Sequence, residues 1–218
     1  MTITVHSMCT YYPDWARKIE ERSQELWATF KFCRAVKSAQ INMYLYLPAT
    51  MGGGKIDQNN VGRARTIFGR YVRSVVHAHG EQSALLVPVP SKDSFGEQNF
   101  RSLNMIRQAM GMGEARQIVP ALRYNTQLGH AAQGGPRFVD ELRPYMDCTE
   151  NVAGRTVILV DDIKTSGSSI LLAKEKIEAA GGFVQRAIVC GRTTDERANP
   201  WTPVTEDLLE PMDYYDDF

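Results

Sequence analysis

The sequence predicts an α/β fold, a parallel twisted sheet flanked by helices with an N-terminal helical extension. Three observations carry that prediction. The apolar runs ALLVPVP at residues 84–90 and TVILV at 156–160 have the length and bounding turns of strands buried on both faces of a parallel sheet. Residues 168–180 read as a helix between the second run and another, FVQRAIVC at 183–190, so strand, helix and strand follow in the order of a βαβ unit. The 218 residues suffice for one compact α/β unit with an appended element, expected as a helical extension or hood over 1–80 and an α/β core with an acidic tail over 81–218.

Taken in order, residues 14–39 read as a helix, because Trp15, Ile19, Leu26, Phe30 and Cys33 recur at spacings of three, four or seven between charged residues. Residues 41–47, branched and aromatic and ending at Pro48, suit a short strand, and 51–60 a glycine-rich turn. A second helix is expected over 60–79, stopped by Gly80. Its arginines, Arg63, Arg65, Arg70 and Arg73, read as a solvated face. They support a nucleic-acid partner only weakly, since no aromatic platform accompanies them. A helix follows the 84–90 strand at 99–110, and 118–122 is another brief apolar run. Residues 123–151, with little apolar periodicity, read as a lid or binding loop. After Gly191 the chain turns polar, and DYYDDF reads as a solvated acidic tail.

Charge narrows the partners. The 25 basic and 25 acidic side chains cancel, which favours a small molecule over nucleic acid, membrane surface or acidic polymers. No run approaches the ~20 apolar residues of a membrane span, and the N-terminus lacks the apolar stretch of a signal peptide, so the expected location is cytoplasmic. Cys9, Cys33, Cys148 and Cys190 are scattered, with no CxxC pair and no histidine at ligand spacing, and read as reduced structural residues.

The segment VILVDDIKTSGSS at 157–169 carries the chemistry. Ligands of open parallel sheets bind beyond the carboxyl ends of the strands, where residues 161–169 must lie. Gly167 allows close backbone approach, the helix N-terminus favours an anion, and the hydroxyls of Thr165, Ser166, Ser168 and Ser169 add donors for a phosphate. Asp161 and Asp162 would repel a phosphate placed directly on them and suit ribose hydroxyls one sugar length away. A divalent cation nearby would offset their charge.

This segment resembles the 5-phosphoribosyl-1-pyrophosphate (PRPP) motif of type I phosphoribosyltransferases, a hydrophobic strand running into two acids and a hydroxyl-rich glycine turn. The resemblance implies that fold, with Asp161 and Asp162 on the ribose 2′ and 3′ hydroxyls and Lys164, Thr165, Ser166, Gly167, Ser168 and Ser169 around the 5′-phosphate. LVPVPSKDSFGEQNF, from Leu86, resembles the VPVP segment of the ComF-like branch, although the cysteine-rich zinc ribbon common in that branch is missing. In that family the loop after this strand meets pyrophosphate, which makes Ser91, Lys92 and Asp93 candidates. ALRYNTQLGHAAQGGPR loosely resembles the branch's mobile loop and adds Arg123 and Arg137. The likeness covers residues 84–192.

The resemblance implies a Mg²⁺-dependent transferase moving phosphoribose from PRPP to an unidentified nitrogen acceptor, a pentosyl transfer. Catalysis would lie with Asp161, Asp162 and Lys92, and the metal would meet the two aspartates indirectly, through ribose or water. Departure of pyrophosphate leaves positive charge on the sugar, so the work is positioning, neutralising the leaving group and excluding water. The alternative is a PRPP- or nucleotide-binding regulatory or effector module, of competence or defence type, without free-base transfer. The N-terminal helices would then receive a second copy or a partner protein.

Overall fold

The computed structural model describes residues 2–12, 22–91, 94–111, 117–129, 136, 138–194 and 199–209. The chain opens with a strand β1 (Thr2–Tyr11), a helix α1 (Gln24–Ser38), the hairpin β2 (Tyr44–Tyr46) and β3 (Lys55–Asp57), and a helix α2 (Gly62–Ala78). Next come β4 (Leu85–Pro88), α3 (Arg101–Met110), β5 (Leu122–Tyr124), the short helix α4 (Val139–Leu142) and β6 (Met146–Cys148). The chain continues through β7 (Thr156–Lys164), α5 (Ser168–Ala179), β8 (Phe183–Thr193) and β9 (Val204–Leu209).

The main sheet has the order β4-β7-β8-β1-β9. The first four of these strands run parallel and β9 antiparallel, with Val157 opposite Leu85 and Val184, and Val5 opposite Ala187 and Glu206. The expected mixed α/β architecture with a mostly parallel sheet is what forms. Alternation along β7 separates two cores: Ile158 and Val160 join the layer built by α1, α2 and α3, while Val157 and Leu159 join the layer built by α5, β5 and β6. Among the described residues no helix is long and apolar enough to cross a membrane.

Several elements depart from the expectations. The short strand expected at 41–47 forms as β2, which with β3 buries Leu45 and Ile56 against α2's core, but the first eighty residues also supply β1, which lies inside the main sheet. The described part of the first helix begins at Gln24, where the Ser23 hydroxyl accepts from the Leu26 N–H at 3.2 Å; residues 13–21 lie outside the described residues. Residues 123–151 are not a bare loop, because β5 and β6 pair antiparallel and α4 intervenes. Elements of three or four residues are shorter than the window in which periodicity is visible. The polar stretch after Gly191 contains β9, and the acidic tail lies outside the described residues.

The arginines of α2 are also not a simple solvated face. Arg65 is buried and donates to the Val36 carbonyl at 2.7 Å, the Lys37 carbonyl at 3.0 Å and Gln108 Oε1 at 2.6 Å, closing the C-terminal end of α1. Arg73 donates to the Met110 carbonyl at the end of α3, and Arg63 to those of Gly52 and Gly53. These three side chains are engaged with backbone, which removes most of the basic stripe that a nucleic-acid partner would need.

Candidate functional site

The carboxyl end of β7 carries the two acids of the sequence motif. Residues 161 and 162 fall within the strand, so adjacent side chains point to opposite faces and meet different neighbours. Asp162 is 6% exposed. On its side Lys37, in the last turn of α1, places Nζ 3.2 Å from Oδ1 and 3.1 Å from Oδ2, and Arg101, first residue of α3, places Nε 3.9 Å from Oδ2. α3 is held there because the Ser102 hydroxyl donates to the Val89 carbonyl at 2.6 Å, just past β4. The apolar stripes of α1 and α3 thus fix the positions of two cations over one carboxylate.

Asp161 faces the other way. Its Oδ1 accepts the Asp162 N–H at 2.7 Å, and burial, followed by the charge of Asp162, pushes its carboxyl up to about 8. Tyr124, on β5, lies on this side. Burial pushes its phenol up to about 12, with the Asp161 charge adding to the rise and the nearby Ser169 side chain opposing it.

Beyond Lys164 the strand runs into the turn that opens α5. Gly167 sits in the left-handed region at φ +85°, a conformation that glycine adopts without steric cost. A Cβ there would approach Leu208 Cδ2 of β9 to 2.4 Å, so the turn is packed under the last strand. Thr165 and Ser166 are exposed, and the Ser166 and Ser168 hydroxyls lie 3.1 Å apart. Among the described residues the N–H groups of Ser166 and Gly167 meet no backbone acceptor. A helix N-terminus with exposed hydroxyls and N–H groups that meet no backbone acceptor can cradle a phosphate. Lys164 is otherwise engaged: its Nζ lies 2.9 Å from Glu206 Oε1, and Arg192 Nη1 lies 3.2 Å from Glu206 Oε2.

The remaining candidates divide. The Ser91 hydroxyl, following β4, is buried with no hydrogen-bond partner among the described residues. Arg123 Nη1 donates to the Glu97 carbonyl at 2.8 Å, and its guanidinium lies over the Phe100 ring at 5.4 Å, so it braces the segment leading into α3. Lys92, Asp93 and Arg137 lie outside the described residues. Arg101, which reaches Asp162, also lines a polar recess of about 590 Å³ with Arg65, Glu97, Asn99, Asn104 and Gln108. The sequence reading omitted Lys37, Arg101, Tyr124, Arg192 and Glu206. Arg101 carried one available signal, an arginine at the start of the helix that follows the VPVP strand.

The donors bear on Mg²⁺. Both oxygens of Asp162 are engaged by Lys37, and one oxygen of Asp161 by a backbone N–H. Mg²⁺ keeps several waters and meets one or two carboxylates together with a ligand's phosphate oxygens, so the Lys37 pairing would have to give way for Asp162 to bind it directly.

A scan against protein-family models finds no match. Among curated proteins, the orotate phosphoribosyltransferase of Methanopyrus kandleri is 54% identical over 39 residues, 18% of this chain and 21% of the relative. That of Sulfolobus acidocaldarius is 51% identical over 39 residues, 18% of this chain and 20% of the relative. The chain matches about a fifth of the length of these relatives. Among solved structures, the Mycobacterium tuberculosis orotate phosphoribosyltransferase in complex with Fe(III) dicitrate aligns over 75% of this chain and 94% of that one. Its identity is 15% and its TM-score 0.35, too low to establish a shared fold.

Proposed function

We propose that this chain binds PRPP at the carboxyl end of β7 and transfers its phosphoribosyl group to a nitrogen acceptor, releasing pyrophosphate. The observation that carries the reading is continuity: β7 bears the two aspartates near its carboxyl end and runs through Lys164 into the turn that opens α5, where Thr165 and Ser166 are exposed. One carboxyl group suited to a ribose hydroxyl, that of Asp161, and a candidate phosphate cradle then follow one another along the chain. The short matches to two orotate phosphoribosyltransferases support the same chemistry. The type I phosphoribosyltransferase fold and a ComF-like affiliation are part of this proposal.

In this reading Thr165, Ser166, Gly167, Ser168 and Ser169 hold the 5′-phosphate, and Asp161 meets a ribose hydroxyl. Asp162, held by Lys37 and Arg101, fixes those two cations, of which Arg101 lines the polar recess where the leaving group would lie with Ser91, Lys92, Asp93 and Arg123. The acceptor nitrogen donates its lone pair to the anomeric carbon as the bond from that carbon to pyrophosphate breaks and its electrons leave with the pyrophosphate. The cations stabilise the leaving group, and Asp161, in its ionised form, stabilises the cationic sugar. Magnesium would accompany the ligand's own phosphate oxygens rather than sit on the aspartate pair.

Calorimetric titration with PRPP and pyrophosphate release across a panel of purines, pyrimidines and nucleotide-like acceptors, each with and without Mg²⁺, test the proposal. Expected are binding, turnover with one acceptor class and loss of binding in Asp161→Asn. PRPP binding that survives Asp161→Asn unchanged overturns the site. The second reading, a PRPP- or nucleotide-binding regulatory module, is favoured by the Lys37–Asp162 and Lys164–Glu206 pairs, which engage groups expected to meet ligand. Tight binding without turnover for any acceptor selects it.

A further inference from the structure

Cys9 of β1, Cys33 of α1 and Cys190 of β8 are separated by 24 and 157 residues, yet their sulfurs all lie within 4.8 Å of one another. All three are buried, at 1%, 0% and 0% exposure. Cys9 Sγ is 3.5 Å from Cys33 Sγ and donates to the Cys190 carbonyl at 3.2 Å, and Cys190 Sγ is 3.9 Å from Cys33 Sγ. The backbone leaves room for the cluster: a Cβ on Gly191 would fall 2.6 Å from Cys33 Sγ and 3.0 Å from Tyr11 Cβ.

We infer that these three cysteines form a buried thiolate site for one soft d¹⁰ cation, Cu⁺ or Zn²⁺, stapling β1, α1 and β8 behind the candidate site. With metal–sulfur bonds of about 2.3 Å, three sulfurs around one ion stand about 3.8 to 4.0 Å apart; the separations of 3.5 and 3.9 Å, with the third no more than 4.8 Å, require shifts of less than about 1 Å. A disulfide needs about 2.05 Å and would leave one of the three thiols unpaired. All-sulfur ligation in a dry pocket selects thiophilic ions and rejects Mg²⁺ and Ca²⁺. On binding, three sulfur–metal bonds form and three thiol protons go to solvent, leaving a net charge of −1 with Zn²⁺ and −2 with Cu⁺. Because thiol protons leave on binding, affinity rises with pH. Cys33 lies one helical turn before Lys37 on α1, so the staple also fixes the cation over Asp162.

Metal analysis of protein purified without chelator, and anaerobic titration with Cu⁺ and separately with Zn²⁺ under chelator competition, test the site. Near-stoichiometric binding of either ion supports it and names the ion. Cys33→Ser should bind on the order of 100-fold more weakly or worse, whereas Cys148→Ser, outside the cluster, should bind as the parent does. Should Cys33→Ser fail to fold, Co²⁺ added to the unaltered chain gives the readout: intense thiolate-to-cobalt charge-transfer absorption supports the site, and its absence overturns it. Failure of both Cu⁺ and Zn²⁺ to bind, or a disulfide joining two of the three cysteines in alkylated, denatured protein, also overturns it. None of these measurements depends on PRPP binding.

Discussion

The Lys37 ammonium bridges both oxygens of Asp162, at 3.2 and 3.1 Å, so the end of α1 closes over the second acid of β7. The carboxylate side chain is 8% exposed and the lysine 35% exposed, so the pair sits between a surface ion pair and a buried one. Lys37→Met keeps the apolar stem and removes the charge. The expected loss is about 1–2 kcal/mol, above the surface range and below that of a fully buried pair. That corresponds to a melting temperature about 2–8 °C lower for a chain of this size. An unchanged melt would mean that Lys37 is solvated rather than paired.

The protonation of Asp161 gives a pH signature. Its carboxyl is pushed up to about 8 by burial and by Asp162, from an ordinary value near 3.8. Between these values the folded chain holds a proton that the unfolded chain has released, so stability falls as pH rises through that window. Asp161→Asn removes the contribution. Its melting temperature should match the parent at about pH 4 and exceed it by several degrees at about pH 8.5, the reverse of an ordinary paired carboxylate. Thermal melts across that range check the sign.

The β7–α5–β8 unit was legible because a fully buried strand is a continuous apolar run, and a helix entered through Gly167 leaves a turn of hydroxyl residues. β1 was not. It is an internal strand, but it buries His6, Ser7 and Thr10 alongside Val5, so no apolar run marks it. β9 is an edge strand whose sequence VTEDLL reads as polar, and pairing with β1, at Glu206 opposite Val5, is what makes it a strand. The partners of the motif residues arrive from sequence-distant elements: Lys37 reads as a surface lysine on α1 until the packing of α1 brings it to Asp162. The three buried cysteines were unreadable together for the same reason, since sequence spacing carries no information about contacts formed across a sheet.

Gly167 and Leu208 should be coupled. Gly167→Ala puts an ordinary side chain at φ +85°, costing about 1–2 kcal/mol, and drives its Cβ into Leu208, adding about 1–3 kcal/mol of overpacking. Leu208→Ala in the same chain removes the clash and leaves the backbone term. The double variant should therefore be more stable than the sum of the single losses by about 1–3 kcal/mol in denaturant unfolding. Strict additivity would place Leu208 away from the turn.

Glu206 holds Lys164 at 2.9 Å and Arg192 at 3.2 Å, so one carboxylate on β9 neutralises two cations beside the candidate phosphate turn. Glu206→Gln keeps the shape and removes the charge. The side chain is 26% exposed, and the expected stability loss is about 1–3 kcal/mol, since two charged donors lose an ionised acceptor. Anion binding should move the other way. With two uncompensated cations nearby, inorganic phosphate and PRPP should bind on the order of 10-fold tighter at low ionic strength, and the gain should shrink as salt screens it. Titrations at low and high salt read both effects. Weaker phosphate binding in the variant would mean that Glu206 positions Lys164 for the ligand rather than withholding it.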